Sequence, residues 1–585
     1  MVEILPITNT ELGIRFKYDP ILVERVKGLP QRRWDKDKKV WIFRPTIENL
    51  EFIRRWFPDA TWDERCATFE NDAKQRAQQR EEVQNLKQTG AIDYSVLDGV
   101  PFKMQPMSQQ KTALILGRDL PAFAYLMDQG TGKTKVIIDD AAHNYRQGRI
   151  DCLLIIAPNS VKTNWCDPDG GFDELEKHMP PDIEYVKGCW MSSPTSVQKD
   201  RYKKFRNSWG KQMSVLVVNI EAIQFDRVAE EVYSFIEAHN GAMIVVDEST
   251  KIKHRTAQRT KMALKFRERC KIARIASGTP IVKSPLNAFS QFKFLDPDIL
   301  GFSNYRSFEN HFAIKGGYGG YQVLSHQNLD ELGEKINKAS YRILKDDCLD
   351  LPEKIYQKRM VPLSGPQLSI YRQMEEDAIA DIEHLIEDGY LEATIVLTKY
   401  LRLQQITSGF VPNINFAGET IGWEPFSERP PKIQETLDII DECYGKVIVW
   451  CRFIPEIRML EQALTKSKIS FVSFHGGVGE AERVDARTAF QSDRDDPKVF
   501  IGQIQTGGIG ITLTKARTVI YLSNTFSTED RVQSEDRAHR IGTDHSVTYI
   551  DLIAPGTVDH HIIRSLREDK KLSDLIMRDG IREWI

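Results

Sequence analysis

Short apolar runs separated by longer polar or helical segments recur in two regions of the chain. Such alternation is typical of a parallel sheet with helices on both faces. The two regions therefore predict an α/β protein with two parallel-sheet lobes, the first over 99–298 and the second over 431–560. In the first lobe we expect strands at 153–157, 215–218, 243–246 and 272–276, and in the second at 447–450, 470–474, 499–502 and 518–522.

The first 62 residues show a different pattern and predict a small α+β module. Residues 14–18 and 40–43 alternate as half-buried strands do, and 20–27 read as a short helix. The basic loop over 31–39 contains one aromatic residue. It is explained equally well by phosphate contact with base stacking, or by a solvated hairpin tip whose tryptophan is tucked into the core. The candidate DNA contacts in this loop are Arg32, Arg33, Trp34 and Lys38.

The remaining segments are predicted to connect or brace these bodies. Residues 63–98 are polar and predict an exposed helical linker, and 299–430 predict a helical insertion and connection between the lobes. The glycine-rich stretch 315–321 fits a DNA-facing loop or a hairpin connection, and we favour the connection. Residues 561–585 read as a helix that braces the two lobes.

A phosphate-binding loop is predicted at Gly130, Thr131, Gly132, Lys133 and Thr134. Glycines allow successive backbone N–H groups to face one phosphate, the lysine reaches the β and γ phosphates, and the threonine hydroxyl binds Mg²⁺. The full pattern also has a glycine where this chain has Met127. A glycine-rich turn ahead of a helix is the alternative explanation.

Carboxylates at the end of a predicted strand supply the rest of an ATP site. Asp247 is expected to hold Mg²⁺ through water, and Glu248 to orient and deprotonate the attacking water. Two solvated acids in a turn are the alternative. Gln110, with Gln109 as the fallback, stands about as far ahead of the loop as the adenine-reading amide of helicase-like ATPases, and this resemblance implies the same role. An amide suits that role because it donates and accepts at once.

Residues 533–542 are predicted to be helical, which would place Gln533, Arg537 and Arg540 on one face. Two arginines on a helix are usually a solvated face. Aimed across a cleft, they would instead neutralise charge on the departing γ-phosphate.

Composition places few limits on the partner. The chain has 585 residues, 28% charged and 41% hydrophobic, which is ordinary for a multidomain globular protein. A net charge of −3 neither supports nor excludes DNA binding. Eight scattered cysteines without a C-x-x-C pair, and the lack of a signal-peptide or membrane-spanning pattern, predict a cytoplasmic protein in a reducing compartment.

The motifs in order resemble those of superfamily-two ATPases of the Swi/Snf type. The matching motifs are A-P-N-S-V-K-T-N-W from residue 157, D-E-S-T from 247, S-G-T-P-I from 277, T-G-G-I-G-I-T-L from 506 and D-R-A-H-R-I-G from 536. The resemblance implies two RecA-like lobes, ATP and Mg²⁺ as cofactors, DNA as partner, and hydrolysis completed by Arg537 and Arg540 when the lobes close. Further candidate DNA contacts are Lys162, Lys253, Thr506 and Thr512.

Residues 15–58 resemble the HARP domain of annealing helicases in their Y-D-P, L-P-Q-R-R-W-D and K-V-W-I-F elements. Together the resemblances imply a duplex-tracking translocase that remodels or reanneals forked and other branched DNA. We expect a monomeric catalytic unit in a bacterial or phage-infected cytosol. A strand-separating DNA or RNA helicase, and a non-enzymatic DNA-binding scaffold, are the alternatives.

Overall fold

The structure is a computed structural model in which the chain divides into two compact units, residues 1–348 and 349–571. It describes residues 2–8, 11–29, 32–278, 281, 284–302, 304–316, 322–348, 351–387, 393–415, 420–507, 511–540 and 542–577. Each unit contains one large parallel sheet, so the predicted α/β class with two parallel-sheet lobes is confirmed.

The N-terminal module is a five-stranded sheet in the order β3-β4-β2-β1-β5, covered by helices. The predicted helix at 20–27 and strand at 40–43 are confirmed. The strand expected at 14–18 ends earlier, at Arg15, because Asp19 already caps the following helix through the N–H groups of Ile21 and Leu22. The elements are β1 (Glu3–Pro6), β2 (Leu12–Arg15), α1 (Pro20–Lys27), β3 (Arg33–Asp35), β4 (Val40–Phe43), α2 (Ile47–Trp56), β5 (Thr61–Trp62) and α3 (Cys66–Thr89).

The linker predicted at 63–98 is helical, but it is not a free connector. At the start of α3, Cys66 and Ala73 are buried in the core of the module. Further along, Val83 is buried in the core of the first large sheet. Lys87 donates to the carbonyl oxygens of Asn337 and Ser340. One helix therefore contributes to two hydrophobic cores and joins the module to the first lobe.

A cluster of opposite charges fastens the module and α3 to the same lobe. Asp296 accepts from Arg80 Nη2 at 2.7 Å and lies 3.2 Å from Arg44 Nη2, and Arg44 Nε lies 3.4 Å from Asp298. Burial would raise the pKa of Asp296, but Arg80 and Arg44 bring it down to about 2. Burial, assisted by Asp296, raises the pKa of Asp298 to about 6. The pKa of Asp296 is therefore lowered, whereas the pKa of Asp298 is raised.

We expect the matched variants Asp296→Asn and Asp298→Asn to respond oppositely to pH. The ionised Asp296 stabilises the fold above pH 4, and this contribution is lost as the pH falls through about 2. At pH 7 Asp296→Asn should therefore lower the free energy of unfolding by roughly 2 kcal/mol, the guanidinium groups being partly exposed. The folded state holds the Asp298 proton more tightly than the unfolded state does, so wild type should lose stability relative to Asp298→Asn as the pH rises from about 4 through about 6. Urea unfolding at several pH values measures both, and the same pH trend in both variants would contradict this assignment.

The first large sheet has seven parallel strands, which lie in the order β14 (Ser340–Ile343), β6 (Ala122–Met127), β11 (Ile272–Ala276), β10 (Ala242–Asp247), β7 (Cys152–Ala157), β9 (Met213–Asn219) and β8 (Tyr185–Cys189). All four strands predicted for this lobe are confirmed, three of them longer by one to three residues. Apolar side chains pack on both faces, as expected for a sheet between two helical layers. The elements are α4 (Ser108–Gly117), β6 (Ala122–Met127), α5 (Lys133–Arg146), β7 (Cys152–Ala157), α6 (Asn159–Trp165), α7 (Glu174–His178), β8 (Tyr185–Cys189), α8 (Ser196–Arg206), β9 (Met213–Asn219), α9 (Asp226–Glu237), β10 (Ala242–Asp247), α10 (Gln258–Arg267), β11 (Ile272–Ala276) and α11 (Ala288–Leu295).

An ion pair is buried among the apolar side chains that cover the first large sheet. Arg274 in β11 and Asp140 in α5 both have fully buried side chains, with Nε and Oδ2 2.6 Å apart. The Tyr125 hydroxyl donates to the same carboxylate at 2.7 Å, and the guanidinium also donates to the carbonyl oxygens of Gly117 and Ala273. The pair therefore ties one helix to two strands of the sheet.

The segment predicted as a separate connection, 299–430, contributes an edge strand to each sheet. Its first half adds β14 beside β6. Its second half begins with β15 (Lys354–Met360), which pairs with β22 (Val547–Ile553) of the other sheet. Residues 317–321 of the glycine-rich stretch lie outside the described residues, but the strands that flank it pair antiparallel. The elements up to residue 348 are α12 (Tyr305–Phe312), β12 (Ala313–Gly316), β13 (Gln322–His326), α13 (Leu329–Asn337), β14 (Ser340–Ile343) and α14 (Lys345–Cys348).

The second unit contains a six-stranded parallel sheet in the order β15-β22-β21-β18-β20-β19. The four strands predicted for it are confirmed within one or two residues at each end. The start of the last helix packs against α15 and α16 of the same unit, and bracing of two lobes stays a prediction. The elements are β15 (Lys354–Met360), α15 (Gly365–Glu387), α16 (Ala393–Thr407), β16 (Phe410–Ile414), β17 (Thr420–Pro425), α17 (Pro431–Glu442), β18 (Lys446–Cys451), α18 (Ile454–Lys466), β19 (Phe471–Phe474), α19 (Glu480–Gln491), β20 (Val499–Gln503), α20 (Ile504–Gly507), β21 (Ala516–Tyr521), α21 (Thr528–Glu535), β22 (Val547–Ile553) and α22 (Val558–Met577).

Candidate nucleotide site and nucleic-acid interface

The predicted phosphate loop lies between the end of β6 and the start of α5. Gly130 and Gly132 have φ values of 86° and 93°, a conformation that favours glycine. A side chain at residue 132 would also collide with Gln110, whose Nε2 lies 1.8 Å from the position of a Cβ. Because α5 begins at Lys133, its positive N-terminus faces the loop.

Met127, which stands where the full pattern has glycine, is the last residue of β6 and is fully buried. Its carbonyl oxygen accepts a hydrogen bond from Lys133 Nζ at 2.7 Å. The strand therefore reaches the loop without a glycine at residue 127, and the Lys133 ammonium lies against the end of the strand. Thr134 follows in the first turn of α5 and is half-buried.

Gln110 rather than Gln109 reaches the loop. The Gln110 side chain is buried, accepts from Met107 N at 2.9 Å and donates to the Thr131 carbonyl at 3.4 Å. Gln109 is also buried, but its amide donates to the Met107 sulfur. Both ends of the Gln110 amide therefore already have protein partners next to the loop.

The acid pair follows β10 at the carboxyl edge of the sheet, where ligands bind in open α/β folds. Asp247 is buried, and its two oxygens accept from Trp165 Nε1 at 2.8 Å and from Glu248 N at 3.1 Å. Burial raises the pKa of Asp247, and the Trp165 hydrogen bond and the Lys133 charge oppose this. Glu248 is only half-buried, and its Oε1 accepts from Gln129 Nε2 at 3.2 Å. The phosphate loop and the acid pair are thus neighbours.

The donor set suits Mg²⁺ better than a metal held wholly by protein. Within the described residues no group of three or more His, Cys, Asp or Glu side chains could hold a metal ion. Mg²⁺ is usually bound by one or two carboxylates together with phosphate oxygens and water. The Asp247 carboxylate is kept in a fixed orientation by two donors, as is common for carboxylates that bind metal. The residues present therefore fit the predicted role of Thr134 and Asp247.

The arginine segment differs from the predicted helix. Helix α21 ends at Glu535, so Gln533 lies in its last turn, whereas Arg537 and Arg540 lie in the turns that follow. Beyond Glu535 the backbone continues in turns, in which Arg537 N donates to the Ser534 carbonyl and Ala538 N to the Glu535 carbonyl. The Tyr549 hydroxyl also donates to the Glu535 carbonyl at 2.8 Å, and Leu513 N donates to the Arg537 carbonyl at 2.8 Å. The expectation of one continuous helical face is therefore wrong.

The two arginines nevertheless converge on one loop of the second unit. Arg537 and Arg540 each direct an Nη1 at the Ile511 carbonyl, at 3.4 Å in both cases. Arg540 Nη1 also donates to Thr512 Oγ1 at 3.0 Å. The candidate DNA contact Thr512 is thus a neighbour of Arg540. The Thr506 side chain, residues 508–510, and residues 279 and 280 of the S-G-T-P motif lie outside the described residues.

In the N-terminal module, Arg32, Arg33, Trp34 and Lys38 are all exposed. Trp34 is 45% exposed and leans on Trp41, with ring centroids 5.1 Å apart, so it is not tucked into the core. Arg33 pairs with Glu11 at 2.8 Å. The hairpin therefore presents one accessible aromatic face beside several cations.

Two predicted DNA contacts of the first lobe are less accessible. Lys162 is buried, and its ammonium donates to the Trp190 carbonyl at 2.8 Å and contacts the Met191 sulfur at 3.3 Å. The structure thus removes Lys162 from the candidate DNA surface, because its charge faces the interior. Lys253 is half-buried after the short helix Ser249–Ile252 and stays a candidate.

Sequence reasoning did not identify Gln129 and Trp165 as site residues. Both lie inside motifs, Gln129 in the phosphate loop and Trp165 at the end of the A-P-N-S-V-K-T-N-W block. Their side chains meet Glu248 and Asp247, which are 119 and 82 positions away. Their places inside the motifs could have marked Gln129 and Trp165 as candidates. Their pairing with Glu248 and Asp247 could not be predicted without the fold.

The fold and site define a P-loop nucleotide-binding protein built on two parallel sheets. A family model described as the SNF2-related domain matches residues 46–409, and a model described as the helicase conserved C-terminal domain matches residues 431–542. The first match covers more than half of the chain, and the chain therefore belongs to the SNF2-related family. The prediction of a Swi/Snf-type ATPase is confirmed at this level.

Curated relatives align over most of this chain. DNA annealing helicase and endonuclease ZRANB3 of Bos taurus is 26% identical over 80% of this chain and 40% of its own length. Putative ATP-dependent helicase/translocase YwqA of Bacillus subtilis is 26% identical over 78% and 46%, and an uncharacterized ATP-dependent helicase of Mycoplasma pneumoniae is 25% identical over 76% and 39%. The chain thus spans less than half the length of these relatives.

Among solved structures, the Sulfolobus solfataricus SWI2/SNF2 ATPase core in complex with dsDNA aligns with 82% of this chain and 94% of its own. The sequence identity is 22% and the TM-score is 0.36. Separately, no helix within the described ranges combines the length and the apolar character needed to cross a membrane.

Proposed function

We propose that this chain is a DNA-dependent ATPase that moves along duplex DNA and remodels or reanneals branched DNA. The observation that carries the proposal is the contact between phosphate loop and acid pair, in which Gln129 of the loop donates to Glu248. A phosphate-binding lysine and a correctly placed carboxylate are the minimum that hydrolysis of a nucleoside triphosphate needs from this lobe. Membership of the SNF2-related family supports DNA as the activating partner.

In this proposal each residue of the first lobe has one task. The loop N–H groups and Lys133 bind the triphosphate, and Gln110 recognises adenine. Glu248 orients the attacking water and accepts its proton. Mg²⁺, when bound by Thr134 and Asp247, neutralises phosphate charge.

The second unit supplies the arginines and a further contact with the nucleotide. Arg537 and Arg540 stabilise charge on the departing γ-phosphate when the lobes close, and Gln533 assists from the end of α21. Closure and reopening in each ATP cycle would then move the two lobes stepwise along a nucleic-acid backbone. Thr512 lies beside Arg540 and is proposed to contact that backbone, which would make arginine placement sensitive to DNA.

Movement along duplex is tested by displacement of a third strand from a triplex. We expect ATP-dependent release of the third strand without separation of the underlying duplex. Lys133→Ala serves as the control and should abolish release. Separation of the duplex itself would favour a strand-separating helicase, and no release of either strand would contradict the translocase.

Recognition of forked DNA is proposed for the module surface formed by Arg32, Arg33, Trp34 and Lys38. An exposed aromatic ring among cations suits an unpaired base with its phosphates. Substitution is a better test than deletion of the module, because α3 is shared between two cores. Trp34→Ala should reduce the preference for forked over linear duplex DNA about 5-fold to 10-fold, equivalent to one lost base stack. An unchanged preference would limit the module to a structural role.

A further inference from the structure

Glu248 has a backbone conformation that is rare for a residue with a side chain. Its φ and ψ are 54° and 62°, in the left-handed region, which costs about 1–2 kcal/mol. Such strain persists only where the surroundings hold the residue in place, and it clusters at functional sites.

Contacts on both sides hold this conformation. On one side the Glu248 N–H donates to the Asp247 carboxylate at 3.1 Å. On the other, the buried Ser249 hydroxyl donates to Gln291 Oε1 of α11 at 2.6 Å. The backbone of Glu248 is thus fixed by its two neighbours in the chain, and these contacts leave the direction of its carboxylate to be set by its own side-chain partners.

Gln129 is such a partner, and it belongs to the phosphate loop. Its Nε2 donates to Glu248 Oε1 at 3.2 Å, and the residue stands next to Gly130, whose positive φ turns the loop. The contact therefore joins the carboxylate to the same loop that carries Lys133. A neutral amide orients a carboxylate, whereas a cation would also weaken it as a base.

We propose that Gln129 is a positioning residue that holds the Glu248 carboxylate at a fixed place relative to the triphosphate. This inference rests on the proposed function, in which Glu248 accepts the proton of the attacking water. Gln129 acts through Glu248 and takes no part in the chemistry. Its effect therefore belongs in kcat for ATP, with little change in KM.

The test is steady-state ATP hydrolysis at saturating duplex DNA with Gln129→Met, which keeps the side-chain length and loses the N–H donor. We expect kcat to fall about 10-fold and KM to stay within about 2-fold, since a misplaced catalytic group costs rate and not binding. Gln129→Glu places a like charge beside Glu248 and should lower kcat further. Gln258→Met, at an exposed position of α10, is the matched control and should match wild type.

A double substitution separates this inference from the proposed function. If Gln129 acts through Glu248, Gln129→Met should have no further effect in a Glu248→Gln background. An equal loss of kcat in both backgrounds, or a rise in KM at unchanged kcat, would overturn the positioning role. Wild-type kcat in Glu248→Gln alone would instead contradict the proposed function. Circular dichroism of each variant confirms folding.

Discussion

Substitution of Arg540 by alanine is expected to lower kcat for DNA-stimulated ATP hydrolysis by about 10³-fold or more. An arginine that stabilises the departing phosphoryl group is worth about 10³–10⁵ in rate. Arg540 Nη1 lies 3.0 Å from Thr512 Oγ1, so the guanidinium is held by a neighbouring loop. KM for ATP should change far less, because the expected interaction belongs to the transition state. Phosphate release under steady-state conditions measures both constants.

The matched controls for this prediction lie in the same unit. Arg517→Ala removes an exposed arginine at the start of β21 and should leave kcat unchanged. Arg540→Lys keeps the charge but loses the planar fork, and should recover little of the activity. A kcat for Arg540→Ala within about 3-fold of wild type would remove this residue from the catalytic set.

Asp140→Ala is expected to lower the free energy of unfolding of the first unit by about 3–5 kcal/mol. The substitution leaves the Arg274 guanidinium in the interior without its carboxylate, and the pair is fully buried. It also removes the acceptor of the Tyr125 hydroxyl. Urea unfolding followed by tryptophan fluorescence should show an earlier first transition.

Two controls define the cause of that loss. Asp182→Ala breaks a surface pair with Arg146 and should cost less than about 1 kcal/mol. The double variant Asp140→Leu with Arg274→Met removes both charges and should be more stable than Asp140→Ala alone. A double variant less stable than the single one would show that packing, rather than the unpaired charge, dominates.

The central strands of both sheets were predictable because most of their residues are apolar. Runs such as Cys152–Ala157 and Lys446–Cys451 are buried at every position, and few other local structures produce that pattern. The edge strand Lys354–Met360 is largely exposed and polar, so its hydrophobic pattern does not mark it as a strand. Its position is set by backbone pairing with β22. The packing of α3 against two hydrophobic cores could not be predicted from the sequence either, because only Cys66, Ala73 and Val83 of this helix are buried.

Site residues that belong to one motif could be predicted where phosphate binding requires a particular spacing between them. The loop from Gly130 to Thr134 is such a case, and it tolerates Met127 because that residue only ends a strand. The helix through Arg537 was predicted from local periodicity, which carries no information about the distant donors, Tyr549 and Leu513, that bond the Glu535 and Arg537 carbonyls. Partnerships between distant segments, such as Trp165 with Asp247, appear only once the sheet is assembled.

The most direct test of the central claim is the rate of ATP hydrolysis with and without duplex DNA, for the wild-type chain and for Glu248→Gln. Wild type should be stimulated at least about 10-fold by duplex DNA. Glu248→Gln should lose about 10²–10⁴-fold of the stimulated rate, as expected for loss of a general base, while still binding ATP. A wild-type rate that is the same with and without DNA, or a Glu248→Gln rate equal to wild type, would contradict the account.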